Sequence, residues 1–369
     1  MRREIGLDDI ENLSLGSAFL GAGGGGDPYL GSLLCREAIA NFGPVPLLRV
    51  EDLSDGDSVF VAAAMGAPTV MIEKLFSLDD QHRAVSALEE AIGRQASVIT
   101  SAEIGGCNSM MPVAYAAMRG LPILDADGMG RAFPALQMTS FNIEGVGCTP
   151  MALADEFGNS VIFRTDSAKK AEDLARPLVS AMGASSCMSC YPMTGVEAKR
   201  SAVPATLSAA IDIGAAISDE SELLPPLTRL LRSLRAHKYY RHAYNLFSGK
   251  IVDVEKNTRG GWVFGRCSLA ALEGRSTAEI VFQNENLTVH VDGALRCIVP
   301  DLITVVDLET AAAIPTERLA YGQRVAVIGC SAPPHIRSDK ALAVVGPKGF
   351  GLSEEFVPIE RISANDLSA

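Results

Sequence analysis

Short apolar runs alternate with amphipathic helical stretches between residues 46 and 127, and no other feature narrows the fold as much. The runs are PLLRV (46–50), SVFVAAA (58–64), SVITSAE (97–103) and LPILDAD (121–127). The helical stretches are DDQHRAVSALEEAIGR (79–94) and NSMMPVAYAAMRG (108–120), the second with Asn108 as its expected cap. Runs that are apolar throughout mark strands buried on both faces. The pattern therefore predicts an α/β domain with a mainly parallel sheet covered by helices on both sides. Ahead of it, residues 7–20 have near-helical apolar spacing, and GAGGGGDP (21–28) is too rich in glycine to continue that helix. Asp27-Pro28 then restarts a helix over 28–41, with Asp as N-cap and Pro at the first position.

The α/β style continues through SVIFR (160–164), a helix over 167–183 and the segment SSCMSCYPM (185–193). Two helical pieces follow, near 204–217 and 222–236. From about 245 the chain changes to short strands with turn signals every 8–12 residues, among them LFSGKIVDVEK (246–256), the turn NTRGG (257–261) and LITVVDL (302–308). RVAVIGC (324–330) and ALAVV (341–345) read as the last strands. This half is expected to be a barrel or sandwich. The predicted division is an α/β domain over 1–165, extended by 166–236, and a β-rich domain over 237–369.

Composition excludes several classes. With 32 basic and 44 acidic residues the net charge is -12, so a broad nucleic-acid surface is not expected. No run of about 18 apolar residues is present for a membrane span. Met1-Arg2-Arg3 is followed by Glu4, Asp8, Asp9 and Glu11 rather than by an apolar core, which argues against a signal peptide and for the cytoplasm. Eight unpatterned cysteines in 369 residues fit reduced thiols.

Several stretches carry chemistry. In GAGGGGD, Gly23, Gly24, Gly25 and Gly26 let a ligand approach the backbone, and amides beside the following helix can hold an anion; a tight helix-to-helix turn is the plain alternative. Asp27 would disfavour a phosphate there. EIGGCNS (103–109) leaves a predicted strand and opens a helix, the position where open α/β sheets bind ligands. Glu103 is a candidate base, with Asn108 supplying an amide. In DADGMGRAFP (125–134), Asp125 and Asp127 stand at alternate strand positions, which aims both carboxylates to one side. Such a pair serves acid–base work or holds a divalent cation through oxygen. Arg131 would neutralise one of them or grip a substrate carboxylate. An ordinary turn with an ion pair is the alternative.

Glu73, in MGAPTVMIEKL (65–75), is a secondary candidate beside a solvated-face reading. Cys148, in GVGCTP, is the best placed thiol nucleophile, although no sequence-near histidine serves it. Cys187 and Cys190 read as two buried small residues. His242, in KYYRHAYN, lies where the two halves meet and is otherwise a packing histidine. None of the five histidines is spaced for a zinc site.

In order along the chain, GAGGGGDP, MGAPTV-x-x-EK, EIGG-x-N, DADGMGRAFP, FQNENL and VPDLI-x-V-x-D resemble the S-methyl thiohydantoin desulfurase-like family over residues 7–358. The resemblance implies a three-layer α/β N-terminal domain and a β-rich C-terminal domain. It also implies hydrolytic removal of the methylthio group from an S-methyl thiohydantoin. Members of that family occur fused to, or beside, hydantoinase A-like and oxoprolinase-like proteins. The expectation is thus a hydrolase acting on a small polar cyclic amide or amidine, with one of Glu103, Asp125 and Asp127 as base. No cofactor beyond a divalent metal is expected, and the chain is expected to form a homo-oligomer. The competing expectation is a ligand-binding accessory subunit of a hydantoinase- or oxoprolinase-type assembly, which would co-purify with an ATP-using partner.

Overall fold

The computed structural model describes residues 3–364 apart from 67–69, 71–73, 75–76, 222 and 260–261. The expected helix start at 65–75, with Glu73, and the tip of the 257–261 turn therefore lie largely outside the described residues. The first half opens with β1 (Glu4–Ile5), α1 (Ile10–Leu20) and α2 (Pro28–Phe42). Asp27 caps α2 as its sequence suggests, accepting a hydrogen bond from the Tyr29 amide at 2.9 Å. There follow β2 (Val45–Leu48), β3 (Ser58–Gly66), α3 (Leu78–Ile92), β4 (Val98–Thr100), α4 (Cys107–Arg119), β5 (Ile123–Leu124) and β6 (Ala126–Asp127). Then come β7 (Met151–Ala154), β8 (Ser160–Phe163), α5 (Ala168–Ala181), β9 (Ser185–Thr194), β10 (Val203–Pro204), α6 (Thr206–Ser218) and α7 (Pro226–Ala236).

Eight strands form one sheet in the order β1-β2-β5-β4-β3-β9-β7-β8. Its centre, β2-β5-β4-β3, is parallel, while β1, β9, β7 and β8 join antiparallel. Side chains of β3 alternate between two cores. Phe60 and Ala62 pack with Met110 and Val113 of α4 on one face, and Val59, Val61 and Ala63 pack with Ala171, Ala175 and Val179 of α5 on the other. Three layers follow directly from this continuous apolar strand. Its Val59, Phe60 and Val61 are fully buried, and each such side chain stabilises the fold by roughly 1.5–3 kcal/mol.

The second half contains β11 (Ala243–Arg259), β12 (Trp262–Ala271), β13 (Thr277–Gln283), β14 (Glu285–Val291), β15 (Ala294–Ile298), β16 (Leu302–Asp307) and β17 (Arg324–Cys330). They form an antiparallel sheet in the order β15-β14-β13-β12-β11-β17-β16. Because β14 and β16 also touch, the sheet curls into a half-barrel. Val305 and Val327 face its own interior, whereas Val306, Ala326 and Ile328 join the core that contains Phe19 and Leu20 of α1. A strand was expected at ALAVV (341–345), but Asp339–Val345 is a helix, α8. Ser338 starts it by accepting a hydrogen bond from the Ala341 amide at 3.3 Å, a capping effect that outweighs the β preference of two terminal valines.

Candidate functional site

A cavity opens beyond the carboxyl ends of β3 and β4, where the α/β sheet meets the half-barrel. Its accessible volume is about 90 Å³, room for several waters or one small ring. Gly24, Gly25 and Gly26 form one wall, Ala102, Glu103 and Asn108 another, and residues 133–136 a third. Glu172 and Arg176 of α5 and Asn284 and Glu285 of the half-barrel complete it.

Close approach explains the glycine run. A Cβ on Gly24 would lie 2.1 Å from Glu285 Oε1, and one on Gly106 would lie 2.1 Å from the Gly25 carbonyl oxygen. The two glycine segments interlock, and the Cys107 amide donates to that carbonyl at 2.9 Å. Among the described residues, the amides of Gly25 and Gly26 make no hydrogen bond within the protein. Gly23 lies outside the wall; its carbonyl accepts from the Thr316 amide at 2.9 Å, tying the loop to the half-barrel. Asp27 is occupied at the start of α2 and in an ion pair with Arg318.

Two carboxyl groups from different halves reach the cavity. Glu103 Oε1 accepts from Asn108 Nδ2 at 2.8 Å, and Oε2 accepts from the Phe133 amide at 3.3 Å. Burial pushes this carboxyl up to about 7, against the pull of those two donors. Glu285 is buried, and its Oε2 has no hydrogen-bond partner. Burial, reinforced by Glu103, drives it well above the ordinary carboxylate range. Asn108 is not the helix cap expected from sequence, a place taken by Gly106. Its Oδ1 instead accepts from the Ala64 amide at 2.8 Å, so the side chain links the end of β3 to Glu103.

Asp125 and Asp127 do not act as a pair. The strand divides at Asp125: β5 belongs to the large sheet, whereas β6 pairs with β10. Asp125 accepts from the Ser208 amide at 3.0 Å and from Ser208 Oγ at 2.6 Å, steadying the first turn of α6. Asp127 is fully buried and accepts from the amides of Ile104, Met129 and Gly130 at 2.8–3.0 Å; burial raises its carboxyl to about 7. With both engaged separately, the shared cation position expected from their spacing does not form. Among the described residues no cluster of three or more His, Cys, Asp or Glu side chains could hold a metal.

Arg131 is also buried outside the cavity wall. Its Nη1 donates to the carbonyls of Pro300 and Asp301 at 2.9 Å each, and the guanidinium lies 4.6 Å over the Phe133 ring. It fastens the DADGMGR loop to the half-barrel rather than presenting a grip to a ligand. Cys148 is buried in the core with Cys190 and Tyr191, and Cys187 and Cys190 are free and buried, as expected. His242 stands before β11, its amide donating to Ser331 Oγ at 3.3 Å, away from the cavity.

Comparison with known families covers nearly the whole chain. Residues 8–165 match the family described as S-Me-THD-like, N-terminal domain, and residues 166–359 match S-Me-THD-like, C-terminal domain. The chain belongs to the S-Me-THD-like family. None of the curated proteins compared with it matches. An X-ray crystal structure of a protein from Chromobacterium violaceum shares its fold, with a TM-score of 0.81 and 24% identity over 97% of this chain and all of that one.

Four lining residues of this S-Me-THD-like protein carry chemistry that sequence reasoning passed over: Glu172, Arg176, Asn284 and Glu285. Glu172 and Arg176 form an i,i+4 pair on an amphipathic helix, where such a pair looks like part of the solvated face. Asn284 and Glu285 lie in FQNENL, which carries the family resemblance and whose Asn284-Glu285-Asn286 stretch suits a hairpin turn. The turn is there, with Asn284 at φ 57° between β13 and β14. The signal available was an acidic residue in phase with the alternating apolar positions Leu287, Val289 and Val291.

Proposed function

We propose that this protein hydrolyses a small cyclic amide or amidine of the S-methyl thiohydantoin or hydantoin kind. The carrying observation is the pair of buried carboxyl groups, Glu103 and Glu285, brought to one cavity from the two halves of the chain. Their environments separate their roles. Glu103 ionises near neutrality and suits a general base, while Glu285 stays protonated and suits a general acid.

In this reading Glu103 takes a proton from water as the oxygen bonds to the ring carbon that bears sulfur. The C=N electrons move to the ring nitrogen, where the unpaired amides of Gly25 and Gly26 stabilise the negative charge. Collapse of the tetrahedral intermediate breaks the carbon–sulfur bond. Methanethiolate takes the proton of Glu285, the remaining hydroxyl proton passes to the ring nitrogen, and the ring carbon is left as the carbonyl of a hydantoin. Proton exchange with solvent then resets the two carboxyls. Family membership supports the substrate class, since the chain matches S-Me-THD-like regions from residue 8 to 359.

The test is release of methanethiol from an S-methyl thiohydantoin by the purified chain, followed with a thiol reagent. Glu103→Gln and Glu285→Gln should each lower the rate by about 10²–10⁴-fold with thermal unfolding still cooperative. The wild-type rate should rise as pH passes about 7, where Glu103 ionises. Absence of thiol release, or full activity in both variants, would overturn the proposal. Binding without turnover would favour the accessory-subunit reading.

A further inference from the structure

Arg176 is the only cationic side chain lining the cavity among the described residues, and the proposed hydrolysis gives it no task. Its guanidinium is fixed on three sides. Nε donates to Glu172 Oε1, Nη2 donates to the Pro134 carbonyl at 2.7 Å, and the Trp262 ring lies 4.4 Å below the plane. Glu172 is held in turn, its Oε2 accepting from the Leu136 amide at 3.0 Å. Among the described residues Nη1 has no partner within the protein, and it is not sealed from solvent. A planar cation with two edges occupied and one donor edge left at a cavity is already ordered for an anion, so little rotamer entropy is lost on binding one.

We infer that Arg176 selects for a negatively charged substituent, so that the preferred ring carries a carboxylate. The inference rests on the proposed function for the identity of the ring, but not on turnover. Glu172 balances the charge of Arg176, burial keeps Glu285 well above the ordinary carboxylate range, and Glu103 gains its charge only as pH passes about 7. Below that pH an incoming carboxylate meets the open Nη1 donor of an otherwise balanced ion pair, with no further fixed negative charge from the two buried glutamates. A neutral ring of the same shape would leave Nη1 donating only to water.

Calorimetry with two unreactive probes, hydantoin-5-acetic acid and hydantoin-5-acetamide, tests this on the full chain. The acid should bind at least tenfold more tightly than the amide to the wild-type protein. That preference should vanish in Arg176→Gln and survive in part in Arg176→Lys, which keeps the charge but loses the stacked plane. Glu103→Gln should retain it. Equal affinity, preference for the amide, no binding of either probe, or an unchanged preference in Arg176→Gln would each overturn the inference. A wild-type protein that prefers the acid yet releases no methanethiol would sink the hydrolase reading alone.

Discussion

Asp127 and Glu103 are both buried carboxyls pushed up to about 7, yet their surroundings give them opposite uses. Three backbone amides converge on Asp127, whereas Glu103 has one side-chain and one amide donor and borders open space. Asp127→Asn should therefore damage the fold more than the chemistry. An amide group cannot accept three amide N–H bonds as a carboxyl can, and each buried donor left unsatisfied costs about 1–3 kcal/mol. A lowered melting temperature with the remaining folded protein active is the expected result; an unaltered melt with lost turnover would restore Asp127 to the mechanism. The EIGG-x-N and DADGMGR motifs were legible as special because polar groups interrupt apolar runs. Which of their acids faces a ligand was not legible, since that depends on the chain changing sheets at Asp125, a tertiary event with no local signature.

Among the elements, β9 does the most to join the chain. It pairs antiparallel with β3 from Ser58 opposite Thr194 to Gly66 opposite Ser185, and on its other edge with β7. A fragment ending at residue 165 lacks β9 and α5, which leaves the apolar strand β3 with an unpaired edge and one uncovered face. Such edges template association. Expressed alone, residues 1–165 should aggregate or melt without cooperativity, as size-exclusion chromatography and circular dichroism would report; a monomer with a sharp transition would show that β9 is dispensable. The strands and helices of the α/β half were readable because uniform apolarity and terminal caps are local properties. The α8 error came from weighing Val344 and Val345 above the Ser338-Asp339 start signal. The Glu172–Arg176 face of α5 escaped notice because an i,i+4 charge pair looks the same whether it meets water or a cavity.

At the scale of the whole molecule the two halves share one core, and polar links reinforce the seam. Thr304 Oγ1 donates to the Phe19 carbonyl at 2.9 Å, the Asn286 amide to the Ala22 carbonyl at 2.8 Å, and Arg131 to the carbonyls at Pro300 and Asp301. The two-part organisation was visible in sequence as the change of pattern near residue 245. The seam was not, because Glu285 meets Gly24 only after more than 250 residues of chain have folded between them.

That meeting has a thermodynamic consequence. Until the chain folds, Glu103, Asp127, Glu285 and Asp301 are ordinary acids; burial on folding raises all four, Asp301 to about 6. Near pH 6 the unfolded chain has given up protons that the folded molecule retains, so folding must draw protons from solution. His237 and His335, whose burial lowers them, subtract part of the uptake without cancelling it. Stability contributed by the raised acids is full below about pH 4 and drains away as pH climbs through 6 to 7. Unfolding followed by calorimetry in buffers of different ionisation enthalpy should register net proton release near pH 6, and release of none would mean these carboxyls are wetter than their packing implies. Folding thus makes the molecule a store of protons that fills as its acids are buried.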